Sequence, residues 1–144
     1  MLHNWFECVI KYERTGDEGR VEKVKESYIM DALSFTEAEA RLTEYIEPFI
    51  DGQFSVSAVK RAKINELFYN DEGEKWFKSK INFITLDEEK GIEKRTAVTM
   101  MAQANDIQEA LDMITKGMKG SMADYEVYSL TCTEIVEVVK YEKE

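Results

Sequence analysis

The sequence predicts an α+β fold in which a β-β-α-β unit occurs twice in tandem. The stretch "HNWFECVIKY" at residues 3–12 returns as "EKWFKSKINF" at residues 74–83. Near the end of each half, Phe54 and Val56 have counterparts in Tyr125 and Val127. One half alone would bury too little apolar surface to be stable. We therefore expect one compact domain over 1–144, built from pseudo-twofold repeats of about 1–71 and 72–144, with two helices packed on antiparallel sheet.

The first two strands of each half are indicated by alternation. Apolar and polar residues alternate from Trp5, so that Phe6, Ile10 and Tyr12 share one face of a strand. The stretch "TGDEGR" then provides glycines for a hairpin turn. A second strand is predicted over about 22–32, with its counterpart around Val98 in the second half.

The helix starts are strong local signals. Ser34 followed by Glu37 has the form of a capping box, and Asp106 followed by Glu109 repeats it. Apolar residues follow each cap at helical spacing. Pro48, the single proline, is expected to end the first helix, and Gly117 or Gly120 the second.

The third strand is predicted to be long, over about 53–68 and 125–140. Apolar residues occur in both alternation phases, which indicates a bent or bulged strand that serves two surfaces. A long helix is the alternative for "AVKRAKINELF", but its counterpart "SLTCTEIVEVV" is rich in β-branched residues and favours a strand.

The composition indicates a cytoplasmic chain. Hydrophobic residues make up 44%, yet no apolar window is long enough for a transmembrane helix, and the N-terminal segment lacks the features of a signal peptide. Cys8 and Cys132 fall in predicted strands and are expected to be reduced and mostly buried, with a disulfide as the alternative.

The charge is acidic throughout. The net charge is −10, and the halves 1–71 and 72–144 carry −5 each. Neither half has the basic footprint of a nucleic-acid-binding domain. The acidity is explained by solubility, or alternatively by attraction of a basic partner or by mimicry of a nucleic acid.

No catalytic constellation is visible. The single histidine is His3, and no phosphate-binding glycine loop, HExxH or CxxC motif occurs. The acidic stretches "DEEK" and "NDEGE" lack the alternating ligand spacing of a calcium loop. We expect no enzymatic activity, no cofactor and no metal.

Two tryptophans are candidates for a contact surface. Trp76 shares a predicted strand face with Lys78 and Lys80, and Trp5 occupies the matching place in the first half. These indoles either cover the protein's own sheet or form an interface with a protein partner or another subunit. Stacking on the bases of a single strand is a third interpretation.

The stretch "VKRAKIN" contains a tight basic cluster. On a strand, Lys60 faces opposite to Arg61 and Lys63. The matching residues of the second half include no basic side chain. The cluster is interpreted as a solvated strand face or as a local anion or phosphate contact.

The combination "WFECVIKYER", "VKESYIMDALSFTEAEARL" and "KWFKSKINFIT" resembles a family of small proteins of unknown function from gut bacteria and their phages or mobile elements. The most specific segment is Glu26–Glu39, and the resemblance covers nearly the whole chain. It implies a phage-like or mobile-element origin and transfers no catalytic or binding residues.

These observations lead to two functional hypotheses. The first is a non-enzymatic interaction protein that binds an unidentified protein partner or associates with itself as a homo-oligomer, away from membranes. The alternative is a nucleic-acid-related accessory factor, either a single-strand binder or an acidic DNA mimic. The predicted contact residues are those of the tryptophan strands and the basic cluster: Trp5, Trp76, Lys78, Lys80, Lys60, Arg61 and Lys63.

Overall fold

The computed structural model describes residues 4–140. The chain falls into two compact units. Unit 1 comprises residues up to Ala62 together with those from Glu134 onward, and unit 2 comprises Lys63–Thr133. Each unit contains one helix and one four-stranded sheet, so the fold is mixed α+β and mostly strand. The organisation into one domain with a repeat boundary near residue 71 stays a prediction.

The described elements include two long hairpins, each followed by one helix and then by two shorter strands. In chain order they are β1 (Trp5–Thr15), β2 (Val21–Asp31), α1 (Phe35–Ile46), a 3-10 turn (Glu47–Phe49), β3 (Phe54–Ala62), β4 (Glu66–Phe68), β5 (Lys75–Asp87), β6 (Ile92–Ala104), α2 (Ile107–Gly117), β7 (Asp124–Cys132) and β8 (Ile135–Val139). Among residues 4–140, no helix has the length and apolar character needed to cross a bilayer.

The sheet of unit 1 has the strand order β3-β1-β2-β8. Strand β1 pairs antiparallel with β2 and β3, whereas β2 pairs in parallel with β8. The predicted alternation of β1 is confirmed, because Phe6, Cys8 and Ile10 join the core cluster to which α1 contributes Leu42 and Ile46. Burial of this apolar face holds the helix on the sheet.

The sheet of unit 2 has the matching order β7-β5-β6-β4. Strand β5 pairs antiparallel with β6 and β7, and β6 pairs in parallel with β4. Phe77 and Ile81 of β5 pack in one core cluster with Ala110 and Ile114 of α2. The expected sheets were wholly antiparallel, so the parallel edge strand of each unit is a correction.

Both helix starts form as predicted. Ser34 Oγ accepts a hydrogen bond from the Glu37 backbone N–H at 3.1 Å, and Asp106 Oδ1 accepts one from Glu109 at 2.8 Å. Each cap satisfies an amide that has no partner inside the helix. The carboxylate of Glu37 pairs with Arg41 rather than completing the capping box.

The predicted long third strand is two strands in each half. β3 and β4 belong to different sheets, and so do β7 and β8. The expected bulge occurs within β3 and β7, where Ser57 and Tyr128 are passed over in the pairing with β1 and β5. The strand interpretation of "AVKRAKINELF" is therefore correct, but its single bent strand is divided after Ala62.

Candidate functional site

Both tryptophans are buried. Trp5 is 6% exposed and Trp76 is 1% exposed. Trp5 is the first residue of β1 and Trp76 the second residue of β5. Each precedes a core phenylalanine, Phe6 or Phe77, so it lies on the sheet face that points away from the helix. The Trp76 ring meets Tyr69 edge to face, with centroids 5.5 Å apart. Their role at an interface stays a prediction, and this burial does not favour it.

The lysines that share a strand with Trp76 are exposed. Lys78 and Lys80 both reach solvent from β5. The Lys80 Nζ atom lies 4.8 Å from the centroid of the Tyr128 ring, at the bulge of β7. This cation–π contact satisfies Lys80 within unit 2.

The basic cluster around residue 61 does not form one patch. Lys60 Nζ lies 3.3 Å from a Glu7 carboxylate oxygen, while the Arg61 guanidinium lies 5.7 Å from the Phe6 ring centroid on the helix side of the sheet. The predicted opposite orientation of these two side chains is confirmed. Lys63 follows the end of β3 and belongs to unit 2. The charges of Lys60 and Arg61 are therefore separated by the sheet.

The cysteines differ in accessibility. Both thiols are free; Cys8 is buried and Cys132 is exposed. The expectation that both are mostly buried is therefore wrong for Cys132, which ends β7 at the sheet edge. Burial, with smaller contributions from Glu39 and Glu7, raises the pKa of the Cys8 thiol to about 11. Cys8 therefore stays protonated and unreactive at neutral pH.

A groove in unit 1 brings together residues that the sequence interpretation did not select. Its volume is about 780 Å³, and it lies between the β1–β2 hairpin and the start of β3. Three lysines line it: Lys11, Lys23 and Lys25. Their odd numbers place them on the face of the hairpin that points away from α1. We call these three residues the lysine triad.

Two members of the lysine triad, Lys11 and Lys25, are Cα partners in one row of the sheet, whereas Lys23 is the Cα partner of Glu13. Lys11 is the Cα partner of Lys25 on one side and of Ser55 on the other. Like charges directly opposite each other are destabilising. Among residues 4–140, no carboxylate lies within 4.0 Å of a triad ammonium, although Glu13 and Asp51 also line the groove.

Unit 2 has a different set of side chains in the matching row. Asn82 is the Cα partner of Ala97 and of Glu126, as Lys11 is of Lys25 and Ser55. The Glu126 carboxylate accepts hydrogen bonds from Asn82 Nδ2 and Arg95 Nε, each at 3.1 Å. These hydrogen bonds, that of Asn82 first, hold the pKa of Glu126 below its ordinary value. In unit 2 an internal carboxylate thus occupies the row.

Aromatic side chains border the groove on the helix side. Tyr12 and Phe54 line it, and Tyr12 also lines an adjoining groove of about 590 Å³ with the exposed Phe49. Tyr28 Oη donates a hydrogen bond to Glu26 at 3.2 Å. Burial first, and then the charge of Glu26, raises the pKa of both Tyr12 and Tyr28, so the phenols stay neutral.

The described residues contain no group of three or more His, Cys, Asp or Glu side chains arranged to hold a metal ion. His3, the one histidine considered for catalysis, lies outside the described residues.

Comparison with known proteins identifies the family of this chain. Searches against curated proteins and against solved structures gave no match. The sequence profile of a family described as "Domain of unknown function (DUF4494)" matches residues 4–141, which is nearly the whole chain. The protein therefore belongs to the DUF4494 family.

Proposed function

We propose that this is a non-enzymatic interaction protein that binds a protein partner, or a second copy of itself, through the groove of unit 1. The observation that carries the proposal is the groove itself, which the lysine triad lines from the sheet face that points away from α1, while Tyr12 and Phe54 border it from the helix side. Charged residues at the rim of an interface contribute specificity and association rate.

The proposal extends to the setting of the protein. We propose a cytoplasmic location, supported by the two free thiols, and an origin in a prophage or mobile element, supported by the sequence resemblance. We also propose that the two units arose by tandem duplication. Support comes from their matching strand orders and from bulges at the matched residues Ser57 and Tyr128.

Site-specific photo-cross-linking tests the groove. A photoreactive amino acid is placed at Gln53, which lines the groove, and a control is placed at Lys119, an exposed residue of unit 2. We expect a discrete adduct at position 53 in extracts of the source organism, and none at position 119. An adduct of twice the chain mass would identify self-association. The proposal fails if position 53 gives no adduct beyond that of position 119 while the fold persists.

A nucleic-acid-related accessory role is the second candidate. The lysine triad favours it, since ammonium groups bind phosphates. The burial of Trp76 and the net charge of −10 weigh against single-strand binding. The acidic charge is the sole support for DNA mimicry. Titration of a fluorescein-labelled oligonucleotide at low salt tests strand binding, which must weaken steeply with added salt.

A further inference from the structure

The two units have different polar side chains at matched register positions. Lys11 and Lys23 of unit 1 occupy the register positions at which Asn82 and Arg95 of unit 2 donate to a carboxylate. At the position of that carboxylate, unit 1 has Ser55. Both units thus have hydrogen-bond donors at the first two positions. At the third position, unit 2 has a carboxylate and unit 1 has a hydroxyl group.

We propose that the lysine triad and Ser55 bind a carboxylate from outside the chain: an Asp or Glu side chain of a partner polypeptide. This inference rests on the proposed function, because it names the chemistry that the groove recognises. The partner carboxylate takes the place that Glu126 occupies in unit 2. It relieves the repulsion between Lys11 and Lys25, which face each other across β1 and β2.

The surroundings favour one carboxylate over a polyanion. Glu13 and Asp51 line the same groove. Their negative charges, that of Glu13 directly opposite Lys23, oppose a continuous row of phosphates, whereas the row of Lys11, Lys25 and Ser55 contains no carboxylate. An interface on an acidic protein therefore gains specificity from a single basic row, because a partner must present its carboxylate at that point.

NMR titration of the full-length, isotope-labelled protein with the capped peptide acetyl-Gly-Glu-Gly-amide tests the inference. We expect saturable shifts at the amides of Lys11, Lys25 and Ser55, weakened by salt. The matched peptide acetyl-Gly-Gln-Gly-amide should bind at least tenfold more weakly. Equal binding of the two peptides, or no saturable shift, overturns the inference. Inorganic phosphate or a single-stranded oligonucleotide that binds more than tenfold tighter than the Glu peptide also overturns it.

Paired substitutions sharpen the test. Ser55→Glu supplies the internal carboxylate and should abolish the Glu-peptide shifts, whereas Ser55→Gln, of similar size, should keep them. Glu126→Ser should create a second site that shifts the amide of Asn82. Retention of binding in Ser55→Glu contradicts the inference. If the titration fails while cross-linking at Gln53 persists, the carboxylate inference falls and the proposed function stands.

Discussion

In unit 2 the Glu126 carboxylate lies between Asn82 and Arg95, whereas in unit 1 the matching Ser55 lies beside Lys11 and leaves a groove open. The strand order around both rows is the same. The comparison shows that the buried faces specify the architecture, while the outer faces are free to carry different chemistry. Unit 2 satisfies its polar row with an internal carboxylate, whereas unit 1 leaves its row beside an open groove.

On the helix side of the two sheets, the large side chains lie on different elements. In unit 2, Gly117 at the end of α2 leaves space that the Phe68 ring fills, and a Cβ at Gly117 would collide with that ring. In unit 1, the matching positions hold Tyr45 and Val139, both packed against the core. The large side chain is on the edge strand in unit 2 and on the helix in unit 1, so different elements fill the matched space between helix and sheet.

The largest expected effect tests whether the two cores are equivalent. Ile10→Ala and Ile81→Ala each remove a side chain that is fully buried at matched positions. Each should lower the free energy of unfolding by about 2–5 kcal/mol, since a cavity remains. Urea unfolding gives the total, and hydrogen exchange shows which unit opens. Val21→Ala, at a residue that is 66% exposed, serves as the control. A negligible loss in one of the two variants breaks the equivalence.

The next effect tests the redistribution of volume. Gly117→Ala should destabilise unit 2 by about 1–3 kcal/mol, because the added methyl group overpacks against Phe68. In the Phe68→Val background the same substitution should cost much less, since Val is the residue of unit 1 at that position. A double-mutant cycle in urea measures the coupling. Equal costs in both backgrounds would show that Phe68 is not the obstacle.

The helix caps should contribute equally in the two units. Ser34→Ala and Asp106→Ala each remove an acceptor for a first-turn amide. Each should cost about 1 kcal/mol of unfolding free energy. Thermal unfolding followed by circular dichroism provides the measurement, with Ser34→Asp and Asp106→Ser as controls that keep a cap. If a control loses as much stability as its alanine variant, capping is not the cause.

The smallest effect distinguishes the two polar rows by pH. Because the folded pKa of Glu126 lies below its ordinary value of 4.5, its contribution is present above pH 4.5 and is lost as the pH falls through the folded pKa. Glu126→Gln should flatten the stability curve in this acidic window. Glu88→Gln, at an exposed turn residue, controls for the removed charge. Identical curves for Glu126→Gln and the unchanged protein would contradict this account.

Local signals predicted the local structure. Alternation in β1, the hairpin turn and the caps at Ser34 and Asp106 depend on neighbouring residues, and the structure confirms them. The division of the third strand was not predictable in this way. Its final segments find their partners, β6 and β2, across long stretches of sequence, and no local pattern specifies a parallel pairing.

The groove was missed for a related reason. Lys11 and Lys25 are separated by a hairpin, and they meet only through strand register. Alternation and the position of the turn were enough to predict this register. The basic residues next to one another around Lys60 were selected as the candidate site instead. The contrast between Ser55 and Glu126 was also readable from the repeat alignment. Burial of Trp5 and Trp76 was not, because alternation separates two faces without showing what covers them.

The late position of β8 has a consequence for synthesis on the ribosome. Unit 2 has all four of its strands once Cys132 has emerged, although unit 1 begins first. At a synthesis rate of about 5–20 residues per second, roughly 4–15 s pass between the synthesis of the end of β3 and that of the end of β8. During that interval Ser27–Met30 form an open sheet edge, which can pair with another nascent chain. Unit 1, whose synthesis begins first, is therefore the last to have all four of its strands.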